Sequence, residues 1–317
     1  HDDPFDPNET GPMVRKKASE LGIEVYLAEF SGMYMEDKGK DQLIYSFPVD
    51  DDGKVELPGM KDDAEYDKPF TINPENTLVM ARGIGSTVKT GNLSWRVACL
   101  NLENQGYTLI NSVICHDICN DKWYNQIVFQ QNDIRTPDTV LVRHSEGAED
   151  AAERLGNKFP MILKTAVGSR GVGVIWVESL KSLHSTIQLL HREDEFVDVL
   201  LQEYIKTDYD VRVIIAAGKI LGAIKRPVIG DDFRSNVSQG SEPESHELTE
   251  REAQESLRAA ASVEGQVVGV DFIPAKNRDK ESPYFIEVNS TPGLMGIEAV
   301  LSKSTAKPLI KGQDRSI

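Results

Sequence analysis

The sequence predicts a mixed α/β protein with two or three domains. A chain of 317 residues is long enough to bury a sizeable core in each of them. Short apolar runs rich in β-branched residues, such as 267–273 (VVGVDFI), are typical of buried strands. Between such runs lie helical patterns with their own start and stop signals. The segment 249–264, for example, opens with a capping box of Thr249 and Glu252 and ends before Gly265.

The composition is strongly acidic. The chain carries 35 basic and 51 acidic residues, a net charge of -16. This balance argues against non-specific binding to nucleic acid or to an anionic membrane, because both need a basic surface. It leaves room for a local basic pocket that takes an acidic small substrate. No apolar run approaches the roughly 20 residues that a membrane span needs.

Three cysteines are few for a chain of this length. Cys115, His116 and Cys119 stand together in ICHDIC, but their spacing does not complete a zinc set. The thiols are therefore predicted to be reduced, which indicates a cytoplasmic protein.

The first half of the chain gives its elements mainly through caps and apolar runs. The patterns predict helix 13–21 ending at Gly22, strand 23–30, an irregular polar stretch over 31–75, buried strand 77–80, helix 93–104, strand 108–110, strand 139–143, and helix 148–155 capped by Ser145. Arg82 follows the carboxyl end of a strand, where α/β folds place ligands. A surface arginine beside a turn is the alternative interpretation.

Lys122 lies in the first turn of a predicted helix at 120–131, capped by Asn120 or Asp121. A cation there opposes the helix dipole, which hints at a nearby anion. A solvated lysine is the alternative.

Lys164 stands near the end of a buried strand, 159–165, that runs into VGSRGVGV and a second strand at 174–177. This is not the dinucleotide fingerprint, because no helix follows the glycines, and it lacks the Gly-Lys-Ser/Thr of a P-loop. The pattern favours a β-hairpin lid whose backbone amides lie over phosphates, with Lys164 beneath.

The next strand, 197–205, ends in Gln202-Glu203-Tyr204-Ile205, where backbone groups can read an adenine edge. Segments 210–216 and 219–226 then form a predicted hairpin. A polar loop, 232–236, follows it.

Two further strands carry oxygen ligands. Glu287 and Asn289 are two residues apart on a strand and therefore point to one face. A neighbouring strand can bring Asp271 to the same place. Such oxygens suit magnesium held together with phosphates. Ordinary surface acids on a hairpin are the alternative, which the surrounding apolar runs disfavour.

The order of motifs resembles the ATP-grasp superfamily, and closely the RimK-type α-L-glutamate ligases. The matching stretches are NDK at Lys122, ILK at Lys164, GSRGVGV at 168–174, QEYI at 202–205, DVR at 210–212, FRSN at 233–236, GVDF at Asp271 and EVNSTPGLMGIE at 287–298. FRSN followed by EVNSTPGL is the most specific combination. The resemblance covers roughly 111–298 well and the first hundred residues loosely.

The resemblance implies an α/β (α+β) ATP-grasp fold with ATP between its central and C-terminal parts. The expected domains are an N-terminal pre-ATP-grasp α/β domain at 1–112, a central subdomain with a glycine-rich lid at 113–200, and a C-terminal subdomain with the metal site at 201–317. The implied reaction activates a carboxylate as an acyl phosphate, which an amine then attacks.

The resemblance also implies roles for single residues. Those expected to bind ATP are Lys122 and Lys164 at the phosphates, Gly168, Ser169, Gly171 and Gly173 in the lid, Gln202, Glu203, Tyr204 and Ile205 at the adenine, Asp210 at the ribose, and Arg212. Asp271, Glu287 and Asn289 are expected to hold two Mg²⁺ or Mn²⁺ ions. Arg234 and Asn236 would flank the transferring phosphoryl group. We further expect Arg226, with Arg82 and Arg234, to form a basic pocket for a substrate carboxylate.

The leading hypothesis is therefore a ligase that uses ATP to add L-glutamate to the C-terminus of a peptide or protein, working as a homo-oligomer. One alternative is an ATP-grasp ligase that joins a small-molecule acid to an amino acid. The other is a non-catalytic ATP-binding regulator.

Overall fold

A computed structural model describes residues 10–28, 34–38, 41–45, 70–82, 93–167, 173–193, 195, 197–228, 244–294 and 296–297. The chain divides into two compact units, one of 1–84, 91–110 and 293–295, and the other of 85–90, 111–292 and 296–317. Within the described ranges, no helix is long and apolar enough to cross a membrane.

The first unit combines helices with short strands. Its elements are α1 (Thr10–Glu20), β1 (Tyr34–Lys38), β2 (Asp41–Tyr45), β3 (Phe70–Ile72), β4 (Leu78–Met80), α2 (Leu93–Asn104) and β5 (Thr108–Ile110). Strands β1, β2 and β3 form an antiparallel sheet in that order, and β4 pairs with β5 in parallel.

Three sequence predictions for this unit are wrong. The polar stretch 31–75, predicted to be irregular, contains β1, β2 and β3, which pair as a sheet. Residues 23–28 of the predicted strand 23–30 have no regular structure, and the other two lie outside the described residues. The Ile23 N–H instead bonds to the Ala18 carbonyl and closes the end of α1. The predicted buried strand at 77–80 exists as β4, but Leu78 and Met80 are 55% and 37% exposed.

The second unit contains a four-stranded antiparallel sheet. Its strands are β6 (Thr139–Val142), β7 (Met161–Thr165), β8 (Val174–Val177) and β9 (Val199–Glu203), in the order β6-β9-β7-β8. Helices α5 (Ala148–Arg154) and α6 (Leu180–Glu193) cover one face. The core between them is apolar and includes Ala151, Met161, Leu163, Val177, Leu183, Ile187, Val199 and Leu201. Alternation along each strand turns every second side chain away from this core.

Ser145 does not cap α5, contrary to the sequence prediction. Residues Ser145–Gly147 form one turn of 3₁₀ helix, and Gly147 precedes α5 without a side-chain cap.

The same unit contains a five-stranded antiparallel sheet. Its strands are β10 (Tyr209–Ala216), β11 (Lys219–Pro227), β12 (Glu244–Ser245), β13 (Val267–Ile273) and β14 (Tyr284–Asn289), in the order β12-β11-β10-β13-β14. Helix α7 (Glu250–Ser262) packs on this sheet and starts with the predicted capping box of Thr249 and Glu252. Helices α3 (Val113–Asn120) and α4 (Lys122–Gln131) pack against β14. The shared core includes Phe129, Val211, Val213, Ala260, Val268, Val270, Phe272, Phe285 and Val288.

Candidate nucleotide- and metal-binding site

The face of the five-stranded sheet opposite its core is polar. Val211 and Val213 of β10 and Val268 and Val270 of β13 point into the core. The residues alternating with them point the other way. That face carries Asp210, Arg212, Arg226, Asp271, Glu287 and Asn289. Six residues that the sequence places at a site therefore share one face of one sheet.

Four of these residues form a continuous ion-pair network. Arg212 binds Asp271 bidentately, Nε to Oδ1 at 2.7 Å and Nη2 to Oδ2 at 2.6 Å. Arg226 binds Asp210 in the same way, at 2.6 and 2.7 Å. The Arg226 Nη2 also donates to Asp271 Oδ2 at 2.9 Å, which joins the two pairs. The pairing follows from register, because Asp210 lies opposite Arg226 and Arg212 lies opposite Asp271.

The network is buried and electrically balanced. Arg226 is 5% exposed and Asp271 is 3% exposed. Burial alone would raise the pKa of Asp271, but Arg212 and then Arg226 outweigh it, so that this pKa lies below its usual value. Burial alone would lower the pKa of Arg226, but Asp271 and Asp210 raise it. Both groups are therefore charged at neutral pH.

Arg226 uses its Nε and Nη2 atoms on two aspartates of the protein. The structure thus brings it to the site as a residue that positions Asp210 and Asp271. Its predicted contact with a substrate carboxylate stays a prediction. Arg82 belongs to the first unit, where burial lowers its pKa.

Glu287 and Asn289 complete the polar face. Glu287 lies directly opposite Asp271 across the β13–β14 pair, and Asn289 lies opposite Gly269. A register shift between Asp271 and Phe272 keeps Phe285 in the core while Glu287 points away from it. The Asn289 Oδ1 accepts the Thr291 N–H at 2.8 Å, which fixes the amide at the end of the strand.

The face of the four-stranded sheet that points away from its core carries two polar residues among apolar ones such as Ile162 and Leu200. Lys164 and Gln202 lie on it, and the Lys164 ammonium donates to Gln202 Oε1 at 2.7 Å. Burial lowers the pKa of Lys164 to about 8, although Glu287 acts to raise it and Lys122 acts to lower it further. In the part of the chain that the structure describes, no carboxylate lies within ion-pairing distance of Lys164.

Lys122, at the start of α4, lies close to the end of β7. The backbone N–H of Lys122 donates to the Ala166 carbonyl at 2.9 Å, and Asp121 forms an isolated β-bridge with Val167, so the start of α4 is fixed to the end of β7. Asp121 caps α4 by accepting the N–H groups of Trp123 and Tyr124, which confirms one of the two predicted caps. Burial lowers the pKa of Lys122, while Glu287 and then Asp121 act to raise it.

Gly173 sits at the base of the predicted lid. Its φ of 82° is in the region that favours glycine, and a Cβ there would lie 2.5 Å from Thr165 Oγ1. The Thr165 N–H bonds to the Gly173 carbonyl at 3.1 Å. Gly168, Ser169 and Gly171 lie outside the described residues.

The remaining predicted residues are less closely connected to this cluster. Glu203 accepts the Asp138 N–H at 3.0 Å, and Tyr204 packs edge-to-face on Trp176 with ring centroids 4.7 Å apart. Ile205 follows β9 and is half-buried. Arg234 and Asn236 lie outside the described residues.

The oxygen-bearing side chains of the polar face can be compared with the ligands that a magnesium ion needs. Among the described residues, no cluster of three or more His, Cys, Asp or Glu side chains is arranged to hold a metal by itself. Asp271 already accepts three N–H bonds, and among the described residues no arginine binds Glu287, the other carboxylate that β13 and β14 carry on this face. One or two carboxylates with phosphates are the usual protein share of a magnesium site, so the set fits a nucleotide-borne ion.

No helix was predicted at Val113–Asn120 (α3). The predicted site also lacked Asn111, just before α3, and His116, on α3. Both contact Ser290 at the end of β14. A capping signal was present, because the Ser112 side chain accepts the Cys115 N–H.

Comparison with known proteins now defines the class. The ATP-grasp ligase PsnB, solved in complex with its minimal precursor, matches with a TM-score of 0.63 and 17% identity, over 93% of this chain and 90% of that one. At that identity the match shows the fold, and the predicted ATP-grasp fold is confirmed.

The family follows from sequence. A family model described as a RimK-like ATP-grasp domain matches residues 119–312, and the chain belongs to this family. A probable alpha-L-glutamate ligase of Rhodopirellula baltica is 33% identical over 192 residues, which is 60% of this chain but 46% of the relative. One of Coxiella burnetii is 31% identical over 211 residues, covering 66% of this chain and 68% of the relative. At the level of the family, the predicted ATP-grasp ligase is confirmed.

Proposed function

We propose that this chain is an ATP-dependent carboxylate–amine ligase that adds L-glutamate to the C-terminus of a peptide or protein. The observation that carries the proposal is the convergence of Lys122, Lys164 and Glu287. The lysines come from α4 and β7, yet both are partly buried and both interact electrostatically with Glu287 on β14. Two cations beside one carboxylate suit a nucleotide triphosphate that brings a divalent ion with it.

The chemistry balances without a protein nucleophile. An oxygen of the substrate carboxylate attacks the γ-phosphorus, the bond to the bridging oxygen breaks, and ADP leaves. The amine nitrogen then attacks the acyl carbon, phosphate leaves, and the nitrogen loses a proton. The product is an amide, and ATP is consumed.

The chain's own residues supply position and charge. Lys122 and Lys164 neutralise phosphate oxygens, and their burial strengthens that interaction because little water screens it. The Arg212–Asp271–Arg226–Asp210 network holds the polar face in one arrangement. Magnesium, held by Glu287 and Asn289 with Asp271 beside them, would neutralise charge that builds up during phosphoryl transfer. Two ions, or manganese in their place, belong to this proposal.

Other assignments belong to the proposal as well. Glu203 to Ile205 would border the adenine, Asp210 the ribose, and Arg234 and Asn236 the transferring phosphoryl group. The subdomain boundaries at 112 and 200 follow the same family pattern.

The test is an incubation of the chain with ATP, Mg²⁺, L-glutamate and peptides with different C-terminal residues, read by intact mass. The proposal expects products heavier by whole glutamyl units, with ADP formed in step. Glu287→Gln is the matched control, which should bind ATP but release no ADP. If wild-type protein binds ATP and never modifies any peptide, the C-terminal glutamylation is wrong. Wild-type turnover by Glu287→Gln would remove the metal assignment.

A further inference from the structure

The end of β14 is held from outside its sheet. Strand β14 is the last in the order of the described sheet, so its backbone pairs with β13 on one side. The pairing ends where Asn289 meets Gly269, and the next residue, Ser290, is 5% exposed. Among the described strands, none besides β13 pairs with this end of β14, so other contacts must fix its terminal residues.

Asn111 supplies the first of these contacts. It is 1% exposed, and its Nδ2 donates to the carbonyls of Ser290 at 2.6 Å and Val267 at 2.8 Å. Its Oδ1 accepts the N–H groups of Gln266 and Val267 at 2.8 and 2.9 Å. One side chain therefore ties the end of β14 to the beginning of β13.

His116 supplies the second contact. It lies on α3, is 2% exposed, and its Nδ1 is 2.8 Å from the Ser290 hydroxyl oxygen. Cys119, one turn further along α3, also bonds to Ser290, and the pKa of its thiol is raised by the hydrogen bond to Cys115, by burial and by the nearby Glu287. The imidazole is thus buried beside the strand end that carries Glu287 and Asn289.

Because it is buried, the hydrogen bond between His116 and Ser290 is costly to break. A buried imidazole or hydroxyl that loses its partner costs free energy, so neither group can leave the other without a penalty. Ser290 follows Asn289 directly and lies three residues after Glu287. A shift of Ser290 therefore moves the two oxygen ligands relative to the lysines.

We propose that His116 is a positioning residue, which through Ser290 fixes where Glu287 and Asn289 present their oxygens to the magnesium that accompanies ATP. The inference rests on the proposed function, because it concerns the same site. Residues behind metal ligands typically change metal affinity or activity about 10–100-fold when they are removed.

The variants follow from the geometry. His116→Leu removes the bond, and Ser290→Ala removes its partner. His116→Asn is the rescue variant, because the asparagine amide can place a polar atom close to the position of Nδ1. Gln126→Leu is the matched control. Gln126 is a 4% exposed polar residue on α4 that bonds to Thr136 and Pro137 and does not touch Ser290.

The readout is ATP binding by calorimetry over a range of Mg²⁺ concentrations, with thermal melting of each variant as the check on folding. We expect His116→Leu and Ser290→Ala to need about tenfold or more Mg²⁺ for half of the Mg²⁺-dependent gain in ATP affinity. Their ATP affinity without Mg²⁺ should stay within about twofold of wild type, since Lys164 is untouched. The double variant should be no worse than either single one, and His116→Asn should recover most of the effect.

The outcomes separate the inference from its premise. If His116→Leu lowers the melting temperature as Gln126→Leu does but keeps the wild-type Mg²⁺ dependence, His116 is structural and the inference is overturned. The same holds if His116→Leu does not fold while folded Ser290→Ala behaves as wild type. A wild-type chain that binds no ATP at any Mg²⁺ concentration overturns the proposed function and this inference with it.

Discussion

The two larger sheets of the second unit differ in how their charged side chains are paired. On the five-stranded sheet, Arg226 lies between Asp210 and Asp271, and its pKa is raised. On the four-stranded sheet, Lys164 has a neutral glutamine as its hydrogen-bond partner, and burial lowers its pKa to about 8. The arginines and aspartates of the first sheet pair with one another, whereas Lys164, among the described residues, has no carboxylate within ion-pairing distance. The difference indicates that the first face is built to hold a shape and the second to receive an anion.

The largest loss of stability should come from removing Arg226 from the ion-pair network of the five-stranded sheet. Arg226→Met leaves Asp210 and Asp271 buried without their shared cation, and we expect a loss of about 3–5 kcal/mol in the free energy of unfolding. Urea denaturation measures it. Arg143→Met is the matched control, because Arg143 binds Asp198 with a side chain that is 68% exposed, and such a pair contributes at most about 1 kcal/mol. Equal losses in the two variants would show that the network is not a stabilising unit.

Replacing Lys164 on the four-stranded sheet should change the stability of the protein in the opposite direction. The pKa of Lys164 falls from 10.5 to about 8 on folding, so its charge costs on the order of 3 kcal/mol at neutral pH. Lys164→Met should therefore stabilise the nucleotide-free protein by up to that amount while it weakens ATP binding. Lys158→Met, an exposed lysine in the same unit, should change neither property. A destabilised Lys164→Met would mean that the bond to Gln202 outweighs the cost of burial.

A smaller effect is expected at the base of the lid. Gly173→Ala places a Cβ 2.5 Å from Thr165 Oγ1 at a φ of 82°, and strain of this kind costs about 1–3 kcal/mol. Gly218→Ala has a similar φ of 72° but nothing within 4 Å, so it measures the backbone cost alone. Thermal melting of both variants gives the difference. If the two variants melt together, the contact with Thr165 relaxes without cost.

The sequence predicted which strands carry the site residues better than it predicted which side chains bind one another. Period-two alternation was enough to place Glu287 and Asn289 on one face, and the register of β13 with β14 brings Asp271 to the same face. Which arginine binds which aspartate depends on the register between β10, β11 and β13, which no local pattern specifies. The predicted substrate role of Arg226 was formed without that information.

Helix α3 shows a second limit of the sequence. Its short segment, VICHDICN, was examined as a possible metal motif because of its cysteines and histidine. The structure instead buries Cys115 and His116 against neighbouring elements. Contacts that join segments more than 170 residues apart, such as His116 with Ser290, arise from packing and leave no spacing to recognise.

The comparison between the two faces can be tested most directly by counting protons on ATP binding at pH 8. Lys164 has a pKa of about 8 in the free protein, so roughly half of it is neutral there, and a bound phosphate should raise that pKa. Wild-type protein should take up about half a proton per ATP, and affinity should fall as the pH rises above 8. Calorimetry in buffers with different ionisation enthalpies measures the uptake, and Lys164→Met should lose it. ATP binding without proton uptake in wild type, or with equal uptake in Lys164→Met, would contradict the account.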